Sequence, residues 1–217
     1  MVRQYLNHSS LLDLCCGTGQ HLMGFAGEIQ TGIGLDFSLP YLQRANNDKE
    51  KYGLANMGYS CSDARRIPFR SNYFDIAYSF SALYLIPDVG NVISEVSRVL
   101  KPGGKCILDL SNLYSLNVIV INAYHKDLGW AQHYTISVSE MKKMINQSGM
   151  RILEHRAFQI LPLWGGDRPS WLKVFLAPFW TRLLTRQVGG KILDEWISNL
   201  PGFNFFAFRH IFVCEKR

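Results

Sequence analysis

The chain of 217 residues is 47% hydrophobic and 18% charged, with a formal net charge of +6 and a pI near 9.1, enough apolar material for one domain or one domain with a sizeable insertion. Its apolar runs are broken by charge, Gly or Pro well short of the roughly 18 residues a spanning helix needs, and the opening MVRQYLNHSS lacks a signal-peptide core, so a cytoplasmic location is expected. The five cysteines, at positions 15, 16, 61, 106 and 214, form no C-x-x-C pair, so reduced thiols and no metal site are expected. The basic balance is compatible with nucleic acid, an anionic membrane surface, an acidic substrate or plain solubility.

In chain order, residues 11–14 (LLDL) are a short apolar run consistent with a strand, and GTGQHLMGFAGEIQ has helical spacing at Leu22, Phe25, Ala26 and Ile29. TGIGLDFS predicts a second strand ending at Asp36. LPYLQRANNDKEKYG predicts an amphipathic helix entered through Ser38 and Pro40, with Gly53 near its end. A third strand is expected over residues 57–60, a turn at Asp63, and a fourth strand in FDIAYSF. In DVGNVISEVSRVLKPGG, Val89, Val92, Ile93, Val96, Val99 and Leu100 recur at helical spacing, and Pro102, Gly103 and Gly104 stop the helix before a fifth strand, KCILDLSN. Residues 113–129 are apolar and aromatic without an evident partner. SVSEMKKMINQSGM predicts a helix capped by Ser137 or Ser139 and stopped by Gly149, RILEHRAFQIL a strand, and FFAFRHIFVCEKR the last strand. An aromatic-rich insertion occupies about residues 162–204, and the whole is expected to be a single α/β domain.

In an open parallel sheet, ligands bind outside the carboxyl ends of the strands, and Asp13, Gly17, Gly19, Asp36, Asp63 and Ser79 all fall at such ends. A dinucleotide fingerprint starting at Gly17 needs glycine at position 22, where this chain has Leu22, which argues against a nicotinamide or flavin dinucleotide. LLDLCCGTGQHL, GIGLDFSLPYL, SDARRIPFRSNYFDIAYS and RVLKPGGKCILDL, in this order and spacing, resemble the four sequence blocks of class I methyltransferases that use S-adenosylmethionine (the type 11 group), and cover about residues 10–112.

That resemblance implies a Rossmann-like, doubly wound, seven-stranded and mostly parallel sheet whose last strand is antiparallel. It also implies a cofactor-binding half (1–112) and an acceptor-side half (113–217). Asp13 matches the acidic residue of the first motif, Gly17 and Gly19 its second and third glycines, and Cys15 stands where the family has its first. The family uses Asp13's counterpart to hold the cationic methionine end, a sensible task for a carboxylate. Asp36 matches the acceptor of both ribose hydroxyls, which needs two acceptor oxygens side by side, and Phe37 a residue lying against adenine. Asp63 matches the acceptor of the adenine amino group, with the Ala64 N–H placed for a ring nitrogen. Ser79 and Phe80 match the carbonyls that meet the methionine amine. The cofactor implied is S-adenosylmethionine, with S-adenosylhomocysteine as product.

Methyl transfer from a sulfonium is an in-line displacement that chiefly needs alignment and exclusion of water, with a base only where the acceptor must lose a proton. Tyr84, His125, His133 and Tyr134 border the expected acceptor side, and none is assigned a catalytic role. No Asn/Asp-Pro-Pro-aromatic tetrapeptide follows the fourth strand, which disfavours amino-group methylation of nucleic acid or protein. WLKVFLAPFWTRLLTRQ, with Trp171, Phe175, Phe179 and Trp180 beside Lys173, Arg182 and Arg186, predicts helices broken at Pro178 that cover an apolar acceptor pocket, rest on a membrane surface, or pack on their own domain. The CCGTG and GLDFS segments also resemble quinone-ring C-methyltransferases. The short stretch before the first strand implies a more open cofactor site unless the insertion covers it. The expected function is methyl transfer to a small, apolar or aromatic acceptor, the alternatives being a non-catalytic S-adenosylmethionine-binding regulator and an RNA or DNA methyltransferase.

Overall fold

The apolar run at the head of the chain becomes β1 (Ser9–Leu14) in a computed structural model that describes residues 1–124, 132–161 and 178–217. Leu11, Leu12 and Leu14 are fully buried, as in a central strand covered on both faces. The strands β2 (Ile29–Asp36), β3 (Met57–Cys61), β4 (Phe74–Ser79), β5 (Leu100–Ser111), β6 (Met150–Phe158) and the C-terminal β9 (Arg209–Lys216) complete a seven-stranded sheet in the order β3-β2-β1-β4-β5-β9-β6. Six strands run parallel and β9 is antiparallel to both neighbours, a Rossmann-like arrangement. By contacts the chain separates into two compact units. One comprises Met1–Asp109, Lys142–Glu154 and Phe212–Arg217, the other Leu110–Met141 and His155–Ile211.

In the first unit, α2 (Leu39–Lys51) starts after Ser38 with Pro40 in its first turn and buries Leu42 and Ala45. Helix α3 (Val89–Val99) buries all five of its Val and Ile positions at three- and four-residue spacing. The helix expected after the glycine loop is a correction: α1 spans only Gln20–Met23. Gly24 and Gly27 each cost a helix interior about 1 kcal/mol relative to alanine, and the chain continues in i→i−3 turns (Phe25 N to Leu22 O 3.0 Å, Glu28 N to Phe25 O 2.8 Å) until β2 begins at Ile29. Phe25 is still used, edge-on to Tyr78 at 5.9 Å.

Pro102-Gly103-Gly104 is a second correction. It follows the helix, as expected, but lies inside β5 and not before it. Phe74 pairs with Leu100 and Ile76 with Lys105, so the extra residues of β5 bulge out of the ladder. A side chain at Gly104 would begin 2.8 Å from the Lys101 carbonyl and 3.0 Å from that of Asp75, so only glycine fits.

In the second unit, α4 (Leu116–Tyr124) arises from the partnerless apolar stretch, and Val118 and Ile121 pack on Phe208. Ala157, Ile160 and Ala207 form a further cluster with Leu161 and Ile197 against it. Of the aromatic-rich insertion, the described part holds α6 (Pro178–Leu184), a hairpin of β7 (Gln187–Val188) and β8 (Lys191–Ile192) turned at Gly189-Gly190, and α7 (Leu193–Ser198). Trp171, Lys173 and Phe175 lie outside the described residues, as does His125. Helix α5 (Val138–Gln147) is entered through a reciprocal capping box: Ser137 Oγ accepts the Glu140 N–H at 3.2 Å, and Glu140 Oε2 accepts the Ser137 N–H at 2.9 Å.

Candidate functional site

The carboxyl ends of β1 and β4, with the loop that follows β1, border a cavity of about 250 Å3 lined by Asp13, Cys15, Cys16, Gly17, Thr18, Gln20, His21, Tyr78 and Phe80. Gly17 and Gly19 take the left-handed backbone (φ 54° and 71°) that turns the loop back under α1, and Cys15 adopts it too at φ 58°, a strained conformation for a residue with a Cβ. The Gly17 N–H donates to Asp36 Oδ2 at 2.9 Å and the Ser38 N–H to Asp36 Oδ1 at 2.9 Å. Each oxygen of this buried carboxylate therefore carries one backbone bond and keeps acceptor capacity for another donor.

Asp13 is 4% exposed. Its cross-strand partners are Gly34 on β2 and Tyr78 on β4, and Gly34 in turn is opposite Tyr59 on β3. Burial, with a smaller push from Asp36, raises the Asp13 carboxyl to about 7, the Tyr78 hydroxyl opposing the rise. The thiols are held protonated: burial and then the negative charges of Asp36, Asp13 and Asp63 push Cys15 up to about 12, and Cys16 also rises, chiefly by burial. All five cysteines are free, and the raised Cys15 and Cys16 thiols are poor nucleophiles.

Residues 12–108 match the model of the methyltransferase domain family. The demethylmenaquinone methyltransferase of Lactiplantibacillus plantarum is 35% identical over 105 residues, 46% of this chain and 44% of that one, so the chain matches less than half the length of that relative. The protein of the same name from Bacillus cereus (strain B4264) is 29% identical over 173 residues, 69% of this chain and 73% of that one. The crystal structure of an S-adenosylmethionine dependent methyltransferase from Mesorhizobium loti superposes with a TM-score of 0.68 over 98% of this chain and 93% of that one, at 16% identity, a likeness of fold. Residues 12–108 thus carry the methyltransferase match, and the sheet around them has the Rossmann-like fold of that solved methyltransferase.

Within the matched segment, Asp13, Cys15, Gly17 and Phe80 line one cavity, and Asp36 is bonded to its loop. Phe37 is 81% exposed, so its ring is no part of the core. Asp63 stands at the surface in an ion pair with Arg65 (2.6 Å), whose N–H it also accepts at 2.8 Å; these bonds hold its carboxyl below the usual range. Ala64 is buried. Ser79 turns its hydroxyl into the sheet, donating to the Leu14 carbonyl at 3.0 Å, so only its backbone is free to serve a ligand. Tyr84 sits half-buried in a 3-10 turn (Leu83–Leu85), and His133 and Tyr134 belong to the second unit.

Sequence reasoning missed Cys16, Thr18, Gln20, His21 and Tyr78 in the lining, and Tyr59 beneath Gly19, where an added Cβ would lie 2.4 Å from the Tyr59 hydroxyl. Tyr78 and Tyr59 look like ordinary strand aromatics in sequence. Only the strand register brings them to Asp13. Among the described residues, no helix is long and apolar enough to cross a membrane.

Proposed function

We propose that this chain binds S-adenosylmethionine at the β1–α1 loop and transfers its methyl group to a small, apolar or aromatic acceptor. The observation that carries the reading is Asp36: a buried carboxylate, fixed by the glycine loop on one oxygen and the start of α2 on the other, with acceptor capacity left on both. Two vicinal hydroxyls of a ribose match that pair of acceptors. Asp13, buried in the same cavity with no lysine or arginine in the lining, suits the cationic methionine end. The exposed Phe37 ring suits an adenine face. Asp63 and the Ala64 N–H would hold the adenine edge, the backbone at Ser79 and Phe80 the methionine amine, and Cys15, Gly17 and Gly19 shape the loop that lets backbone approach. When bound, the cofactor supplies a methyl group on a sulfonium that departs as a neutral thioether. The task left to this chain's residues is to align that methyl with the acceptor and to exclude water.

We assign cofactor binding to residues 1–112 and acceptor selection to residues 113–217, as one functional domain. The names of the two relatives, both methyltransferases of demethylmenaquinone, support an apolar ring acceptor. Release of S-adenosylhomocysteine on addition of reduced naphthoquinones, sterols and small phenols tests the acceptor class. Turnover with an apolar ring compound is expected, whereas turnover only with RNA, DNA or polar amines would overturn it.

A further inference from the structure

On the sheet face that carries the cavity, four residues stand in one register row: Tyr59 on β3, Gly34 on β2, Asp13 on β1 and Tyr78 on β4. Residues directly opposite in a parallel sheet project from the same face, so the two phenols flank one carboxyl. Gly34 makes this possible. A Cβ there would lie 2.6 Å from the Tyr59 ring and 2.8 Å from Cys16 Sγ, so the absent side chain lets the ring lie across β2 toward Asp13. Both phenol hydroxyls are buried and neither has a hydrogen bond of ordinary geometry. Tyr78 is fully buried and lines the cavity. Two buried phenols, that of Tyr78 already acting on the carboxyl, thus flank one buried acid in a wall with no lysine or arginine.

We propose, building on the cofactor reading above, that the Tyr59–Asp13–Tyr78 row recognises the cationic end of the cofactor in the carboxylate form of Asp13 only, so that binding expels the Asp13 proton to solvent. Tyr78 and Tyr59 are positioning residues in this scheme: both stay neutral, Tyr78 already acting on the Asp13 carboxyl in the free site and Tyr59 turning its hydroxyl to the carboxylate once a cation has entered. The O–H bond of Asp13 breaks, its electrons stay on the carboxylate, and the proton leaves to buffer. Burial supports the scheme by holding the Asp13 carboxyl to about 7, so the free site carries its proton below neutrality. Burial likewise pushes Tyr59 up to about 12 and raises Tyr78 strongly, so both phenols remain donors across the working range. The titratable groups facing Asp13 are Cys15 and Cys16 from its own loop, Asp36 from β2, Tyr59 from β3, Tyr78 from β4, and His21, which shares the cavity wall from α1. Of these, His21 is the one that carries a basic ring.

The test is calorimetry of S-adenosylhomocysteine binding to the full chain at pH 6 and pH 8, each in two buffers of different ionisation heat. The expected result is release of close to one proton per ligand at pH 6 and little at pH 8, with affinity rising about tenfold per pH unit below 7. Asp13→Asn should abolish the release, His21→Gln should keep it, and Tyr78→Phe should move the affinity inflection to higher pH, a shift that a purely structural role would not produce. Binding without proton release at pH 6, or release that disappears with His21, overturns the inference and leaves the cofactor reading standing. No binding at either pH overturns the cofactor reading itself. Where a variant does not fold, binding to the parent without proton release at pH 6 still overturns the inference.

Discussion

Replacing Asp13 by Asn should make the ligand-free protein more stable above neutrality. The carboxyl is 4% exposed and is held at about 7 against an ordinary 3.8. Between those values the folded protein keeps a proton that the unfolded chain has already lost, so stability falls as pH rises from about 4 to about 7 and then levels off. At roughly 1.4 kcal/mol per pKa unit, the ionised carboxylate costs the fold up to about 4 kcal/mol above pH 8. Asn keeps the shape and removes the charge. Urea unfolding should therefore show the parent and Asp13→Asn within about 1 kcal/mol of each other at pH 4.5, and the variant ahead by about 2 to 4 kcal/mol at pH 8. A variant less stable than the parent at pH 8 would refute the reasoning, because it would mean that the carboxylate is compensated in the free protein. A more stable protein that binds S-adenosylhomocysteine worse is the trade expected if the buried charge serves the proposed site.

Other consequences follow from the loop and the helix ends. Cys15→Gly should raise stability by up to about 1 kcal/mol in urea unfolding, because it relieves a left-handed residue that carries a Cβ (φ 58°). Gly19→Ala should cost about 1 to 3 kcal/mol by the same assay and weaken S-adenosylhomocysteine binding, since the new Cβ falls 2.4 Å from the Tyr59 hydroxyl at a backbone φ of 71°. Ser137→Ala removes one half of the capping box and should destabilise by about 1 kcal/mol with no change in ligand affinity.

The elements with a strong local period were legible in the sequence. Val89, Val92, Ile93, Val96 and Val99 recur as one buried helix face, and Ser38 with Pro40 marks the start of α2. Asp36 was legible for a different reason: an acid ending a strand, one helix after a glycine turn, has few places to be but the carboxyl edge of the sheet. The short α1 was not legible, because the apolar spacing of Leu22, Phe25 and Ala26 satisfies a helix and a run of tight turns equally, and Gly24 and Gly27 decided between them. The bulge in β5 depends on the lack of space at Gly104, which no local pattern reports. The turn at Asp63 was legible, and its pairing with Arg65 closes that turn. The row through Gly34 required the register of four strands, since Tyr59 and Tyr78 owe their relation to Asp13 entirely to long-range pairing.

The central claim, that the Asp36 carboxylate is the anchor of an S-adenosylmethionine site, is tested most directly by calorimetry of S-adenosylhomocysteine with the parent protein and with Asp36→Ala. Saturable binding at micromolar concentrations is expected for the parent. Loss of two charge-assisted hydrogen bonds, at about 1.5 to 3 kcal/mol each, should weaken the variant by at least tenfold while its circular dichroism is unchanged. No binding to the parent, or equal binding to a folded Asp36→Ala, would contradict the account.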